Sequence, residues 1–169
     1  MPACLLAAFW LWLAVLLLAF LRLTDLARWL AGLGAVAGVI GSILALLHGS
    51  ATLTLPVALA GQVVRLNYTP EALWLMGFGL VPAALAAWLC SPQHAARSGW
   101  LAGLTITLLG ALGVYGVQDG YSFLIAWELM SLGGAVMILS ERLSPESGRS
   151  ALFMLALLEV GAVAIMLAL

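Results

Sequence analysis

The chain of 169 residues is 65% hydrophobic, and only 8% of its residues are charged. Its mean hydropathy of +1.19 excludes a soluble globular domain, because the apolar runs are too long and too numerous to be buried in one core. The formal net charge of −1 gives no reason to expect nucleic-acid binding. The composition therefore predicts an all-α, polytopic membrane protein with the lipid bilayer as its surroundings.

Six apolar runs are long enough to cross a hydrocarbon core ~30 Å thick. We expect a single membrane domain over residues 1–169, with no arginine inside a span. The segment 48–70 is more polar and alternates loosely, which predicts a hairpin-like loop between helices 2 and 3, with an irregular coil as the alternative. The predicted transmembrane helices are at about residues 5–21, 29–47, 70–90, 99–117, 121–139 and 150–169.

The arginines are distributed unevenly among the predicted loops. One side of the bundle holds only Arg65, and the positive-inside rule places that side outward. We therefore expect a multi-pass protein of a bacterial or archaeal inner (plasma) membrane, with its N-terminus and the hairpin-like loop outside. The arginines predicted to face the cytoplasm are Arg22, Arg28, Arg97, Arg142 and Arg149.

Motifs of soluble chemistry are missing from the sequence. It contains no CxxC, HExxH, GxxxxGK[ST] or GxSxG pattern. Cys4 and Cys90 are far apart and are predicted to lie near opposite membrane faces, so we expect neither a disulfide nor a shared metal ion. The sequence thus predicts no catalytic, metal-binding or cofactor-binding residues in this chain.

One carboxyl group, Glu128, lies near the middle of the fifth predicted helix, ~10 Å from its start. An ionised group at this depth costs at least ~2.5 kcal/mol, so it needs a partner, a wet cavity or a proton. Ser131 follows at i+3 on the same face, and Gly134 and Ala135 leave room for a neighbouring helix. Glu128 is therefore a candidate for proton handling, or a protonated group that only ties two helices together.

A second carboxyl group, Glu159, lies ~13 Å from the start of the sixth predicted helix. Consecutive helices run in opposite directions, so Glu128 and Glu159 are expected at comparable depths. We interpret Glu128, Ser131 and Glu159 as the residues of a candidate proton pathway.

The segment DGYSFLIAWELMSLGG, residues 119–134, resembles the fifth helix of antiporter-like, proton-translocating membrane subunits. Such subunits occur in complex I (NADH–quinone oxidoreductase), in Mrp-type cation/proton antiporters and in membrane-bound NiFe hydrogenases. The shared pattern is an acidic turn, an aromatic pair and then W-E-L-M-S, in which Glu128 matches the family's proton-channel glutamate. The layout of helices and hairpin looks most like the formate-hydrogenlyase-type hydrogenases.

The resemblance implies a non-catalytic membrane subunit of a respiratory or hydrogenase-type redox complex. This subunit would contribute to proton or cation translocation through Glu128. Its partners would be other membrane subunits and a peripheral redox arm. The redox cofactors (Fe–S clusters, NiFe, flavin or quinone) would belong to those partners, with none in this chain.

The chain also departs from this family. Family members have about fourteen helices and a lysine on the seventh helix that pairs with the glutamate. This chain has six predicted spans and no lysine, so we expect a fragment, a truncated product or a dedicated short subunit. The alternatives are an accessory subunit without transport of its own and a small stand-alone transporter.

Overall fold

The computed structural model describes residues 2–59, 62–91, 97–141 and 145–168. Within them, six helices follow one another along the chain, with one β-hairpin between the second and the third. Each helix is long and apolar enough to cross a membrane, as the sequence predicts. The elements are α1 (Pro2–Phe20), α2 (Thr24–Leu46), β1 (Ala51–Leu59), β2 (Gln62–Tyr68), α3 (Pro70–Leu89), α4 (Ser98–Gly116), α5 (Gly120–Glu141) and α6 (Pro145–Ala168).

Two helices begin about five residues earlier than the apolar pattern predicts, namely α2 and α6. Their charged N-terminal segments were predicted to be loops, but Asp25 and Glu146 lie in the first helical turns. A carboxylate there interacts favourably with the helix dipole, so the helix extends beyond its apolar run. Arg28 and Arg149 consequently lie within helices that are long and apolar enough to span a membrane, whereas the apolar pattern of the sequence places every arginine outside the spans.

The turn between α1 and α2 closes the end of α1 with two backbone hydrogen bonds. The amide of Leu23 donates to the carbonyl of Leu18 at 2.9 Å, and that of Arg22 donates to Ala19 at 3.1 Å. This is the Schellman pattern, which needs a left-handed residue directly after the helix. Arg22, with φ of 59°, takes that conformation although glycine is the usual residue there.

The segment between α2 and α3 is a hairpin and not an irregular coil. Strands β1 and β2 pair antiparallel, with Ala51 opposite Tyr68 at the open end. The register shifts once, between Thr54 and Ala58, which marks a bulge or similar irregularity. The hairpin contacts α1 through β1 and α4 through β2, so it covers one end of these two helices.

Tyr68 anchors the hairpin to the helices. Its hydroxyl donates a hydrogen bond of 2.9 Å to the carbonyl of Leu112 in α4. Its ring covers Gly116, where an added Cβ would lie 2.7 Å from the ring. Burial raises the pKa of Tyr68 well above its usual value, so the phenol stays neutral and keeps its proton for this bond.

Helices α1, α2 and α3 form a row of neighbours that packs against α4. Helix α2 lies between α1 and α3, while α4 contacts α1, α3 and α5. Helix α6 packs on α5 and is the most peripheral helix. Only 11% of its most apolar stretch is buried inside the protein, compared with 50% of the corresponding stretch of α4.

A seam of glycines brings α4 and α5 into close contact. A Cβ added to Gly110 would lie 2.5 Å from the backbone nitrogen of Met130. A Cβ added to Gly133 would lie 2.5 Å from the hydroxyl oxygen of Thr107. Only residues without a side chain allow two backbones to approach this closely, and such seams drive helix association in membranes.

Asp119 begins α5. Its carboxylate oxygen Oδ1 accepts a hydrogen bond of 2.7 Å from the backbone amide of Ser122, which is the geometry of a helix N-cap. The backbone amide and hydroxyl of Ser122 favour the ionised form and lower the pKa of Asp119.

The glycine seam can be tested with Gly110→Ala. The new methyl group overlaps the backbone of Met130, and overpacking of this kind costs about 1–3 kcal/mol. We expect a lower melting temperature in mild detergent, followed by circular dichroism. Gly79→Ala in α3 is the matched control, because no atom lies within 4 Å of its added Cβ. Equal melting of both variants and the wild type would contradict the close approach of α4 and α5.

The N-cap predicts a pH dependence of stability. A carboxyl whose pKa is lowered by folding stabilises the fold above its unfolded pKa, and this contribution disappears as the pH falls through the folded pKa. We expect Asp119→Ala to lower the melting temperature at pH 7 by the loss of a cap worth ~1 kcal/mol. The difference from wild type should shrink as the pH falls below the ordinary value of 3.8.

Asp119→Asn is the control for this pH dependence, since asparagine also caps helices but carries no titrating group. The prediction fails if the effect of Asp119→Ala is the same at pH 7 and at about pH 2.

Candidate functional site

Two carboxyl groups, each near the middle of a long apolar helix, meet between α5 and α6. The side chains of Glu128 and Glu159 lie close enough for a hydrogen bond between them. Glu128 is ~12 Å from the start of α5 and Glu159 is ~14 Å from the end of α6, so the two groups lie at comparable distances from the same end of this helix pair. A hydrogen bond between the two carboxyl groups would require a proton on one of them, because a carboxylate can only accept hydrogen bonds.

The carboxyl pair faces the outside of the helix bundle. Glu128 is half-buried and Glu159 is exposed. Glu128 forms part of the wall of a cleft of about 650 Å³, here called the carboxyl cleft. The residues that line this cleft are Tyr121, Leu124, Ile125, Glu128, Leu129, Leu132 and Met166.

Ser131 does not line the carboxyl cleft. It is buried, and its hydroxyl donates a hydrogen bond of 2.9 Å to the carbonyl of Trp127 in its own helix. The structure therefore brings together two of the three predicted residues, Glu128 and Glu159. The expected close approach of a neighbouring helix at Gly134 is present, because a Cβ there would lie 2.9 Å from the end of the Met154 side chain in α6.

The arginines with defined partners lie far from the carboxyl pair. Arg28 donates to the carbonyl of Ala87 at 2.9 Å and to that of Trp88. Arg97 donates to the carbonyl of Ser140 at 3.2 Å, which is ~18 Å along α5 from Glu128. In the part of the chain that the structure describes, the charged group that acts on Glu128 is Glu159.

Sequence reasoning missed two residues of the carboxyl cleft, Tyr121 and Met166. Tyr121 belongs to the aromatic pair of the motif, but its position in the cleft depends on where α6 packs. Met166 lies two turns beyond Glu159, and nothing in the all-apolar sequence around it distinguishes the face that turns towards α5.

Near the pair, the indole nitrogen of Trp127 is buried without a hydrogen-bond partner among the described residues.

Among the described residues, no group of three or more histidine, cysteine, aspartate or glutamate side chains is arranged to hold a metal ion.

Comparison with protein-family models, with curated proteins and with solved structures finds no match to this chain. The resemblance of residues 119–134 to antiporter-like subunits therefore stays a prediction from the sequence motif and the layout of the helices.

Proposed function

We propose that the chain is a membrane subunit of a respiratory or hydrogenase-type redox complex and that it contributes to proton or cation translocation through Glu128. The observation that carries this proposal is the contact between Glu128 and Glu159 at the same depth of two neighbouring helices. Two carboxyl groups in hydrocarbon that share a proton form a station which can take up or release one proton.

Release of the proton requires a change in the surroundings of the pair. A cation that approaches Glu128 favours its ionised form, and withdrawal of that cation favours protonation. Arg28 and Arg97 donate to helix-end carbonyls, and in this proposal the cation comes from a partner subunit. Water filling the carboxyl cleft would connect the pair to one membrane face.

The exposure of the pair supports a partner at this face. An ionised carboxyl group in contact with lipid tails costs at least ~2.5 kcal/mol, and Glu159 is exposed on a helix that is mostly unburied. A neighbouring membrane subunit that covers α5 and α6 would remove this cost. In this proposal a peripheral redox arm carries the Fe–S, NiFe, flavin or quinone cofactors.

The proposal includes an orientation in a bacterial or archaeal inner membrane. Arg22, Arg28, Arg97 and Arg149 lie at one end of the helices, and Arg65 lies in the hairpin at the other end. The positive-inside rule then places the N-terminus and the hairpin outside. Arg142, which the same count includes, lies outside the described residues.

An accessory subunit without transport of its own is the second candidate. It is favoured by the hydroxyl of Ser131, which bonds within its own helix and lies outside the carboxyl cleft. In that case the Glu128–Glu159 hydrogen bond would only join α5 to α6.

Replacing Glu128 with glutamine separates the two functions. The variant keeps the size and the hydrogen-bonding capacity of the side chain but cannot release a proton. With the intact complex in proteoliposomes, we expect proton uptake to fall ~100-fold, the lower end of what positioned proton-transfer groups contribute. The measurement is the response of a pH-sensitive dye to electron transfer.

Glu146→Gln, at the exposed start of α6, is the control and should transport normally. Unchanged transport by an assembled Glu128→Gln complex would reject the proton pathway and leave the accessory role.

The shared proton can be tested without partners. Hydrophobic carbodiimides react with protonated carboxyl groups, so we expect labelling at Glu128 or Glu159 at pH 7, located by peptide mass spectrometry. The carboxylates of Glu71 and Glu146, at the starts of α3 and α6, should remain unlabelled, because glutamates exposed to water at helix ends are ionised at that pH. Equal labelling of all four groups would contradict a protonated pair.

A further inference from the structure

A second cavity lies on α4, on the other side of a wall formed by Ile125 and Leu129 from the carboxyl cleft. We call it the apolar groove; its volume is about 280 Å³ and it is partly open. Its single polar lining side chain is Ser122. The residues that line it are Phe9, Leu13, Leu55, Val64, Leu66, Leu109, Leu112, Gly113, Val117, Ser122, Ile125, Ala126 and Leu129.

The helices give this groove a direction. Helix α4 forms its floor, α1 and α5 form its two sides, and the hairpin covers its upper end. From Ser122 to Leu129 it runs ~10 Å along α5, and from Val117 to Leu109 it runs ~12 Å along α4. It therefore lies along the membrane normal and reaches through most of one leaflet, whose hydrocarbon is half of ~30 Å thick.

An exposed carboxylate stands at the upper end of the groove. Asp119 lies between the lining residues Val117 and Ser122 in sequence, outside the predicted membrane spans, and is exposed. The neighbouring amide of Gln118 donates to the carbonyl of Asn67 in the hairpin at 3.0 Å, which fixes this turn. Asp119 thus places a negative charge at the depth where lipid head groups lie.

We propose that the apolar groove binds one acyl chain of a membrane phospholipid whose cationic amino head group lies beside Asp119. The direction, depth and apolar lining of the groove match an acyl chain, and the carboxylate is complementary to an ethanolamine ammonium group. A bound chain gives the lining side chains the dispersion contacts that an unfilled void would forfeit.

This site does not depend on proton transfer through Glu128. It does place the lipid chain against Ile125 and Leu129, which also line the carboxyl cleft. The lipid would therefore support the wall of α5 that carries Glu128.

The test uses the full chain purified in mild detergent with any subunits that accompany it. It is mixed with equal amounts of ethanolamine, choline and glycerol phospholipids of the same acyl chains, and native mass spectrometry counts the lipids retained. We expect one retained phospholipid per chain, with ethanolamine preferred.

Two variants fill the groove from different elements, Leu13→Trp in α1 and Val64→Trp in β2. Each has a neighbouring control outside the groove, Leu17→Trp and Val63→Trp, at positions that are 62% and 55% exposed. We expect the groove variants to retain at least ten-fold less lipid and the controls to retain it fully. Equal losses in variants and controls, or no lipid on the wild type, would overturn the proposal.

The head-group contact is tested with Asp119→Asn, which keeps the helix cap. Loss of an exposed ion pair should reduce the ethanolamine preference ~2- to 5-fold. Glu71→Gln, an exposed carboxylate with no contact to the groove, should leave the preference unchanged. An unchanged preference in Asp119→Asn would remove the role of the carboxylate.

Photolabelling of the unaltered chain tests the groove even if the variants fail to fold. A phospholipid with a diazirine on its acyl chain should label peptides of α1, β2 and α4 that line the groove. Labels confined to outer faces, such as Phe78 with 71% exposure, would overturn the site. Retention of an isoprenoid quinone in place of phospholipid from native membranes would also overturn it.

Discussion

A hydrocarbon surrounding supplies no hydrogen-bond partners, and this constraint organises the polar groups of the helices. Four buried or half-buried hydroxyls within the helices donate to a carbonyl of their own helix, a pattern typical of serine and threonine in membrane helices. At the end of the bundle, the hydroxyl of Tyr68 likewise donates to a backbone carbonyl, that of Leu112. The hydroxyls that donate to the carbonyl four residues earlier are those of Ser42, Thr105, Thr107 and Ser131.

Arginine side chains supply hydrogen-bond donors at helix ends, where the last carbonyls have no partner within the helix. Arg28 at the start of α2 donates to the final carbonyls of α3, and Arg97 before α4 donates to Ser140 near the end of α5. A cation at a helix C-terminus also interacts favourably with the helix dipole. The arginines that predict the orientation of the chain therefore also close the ends of neighbouring helices.

The two mid-depth carboxyl groups cannot be satisfied in this way, because a glutamate has no backbone donor free within a helix. Instead, the two carboxyl groups interact with each other where α6 packs against α5. The glycine seam holds α5 against α4, and the end of the Met154 side chain of α6 packs against Gly134 of α5. The geometry of the pair thus depends on the packing of α6 on α5 and on that of α5 on α4.

The sequence by itself determined the number of long apolar helices and the position of two carboxyl groups near the middle of such helices, because both follow from hydropathy and from a fixed rise per residue. It left the segment 48–70 open between hairpin and coil, and it began α2 and α6 about five residues too late, because their charged first turns are stabilised by the helix dipole. Only the tertiary structure decided that Glu128 meets Glu159, that Ser131 turns away, and that Tyr121 and Met166 line the cleft. The physical reason is that these helices are apolar on nearly every face, so no polar stripe marks the side that packs against a neighbour.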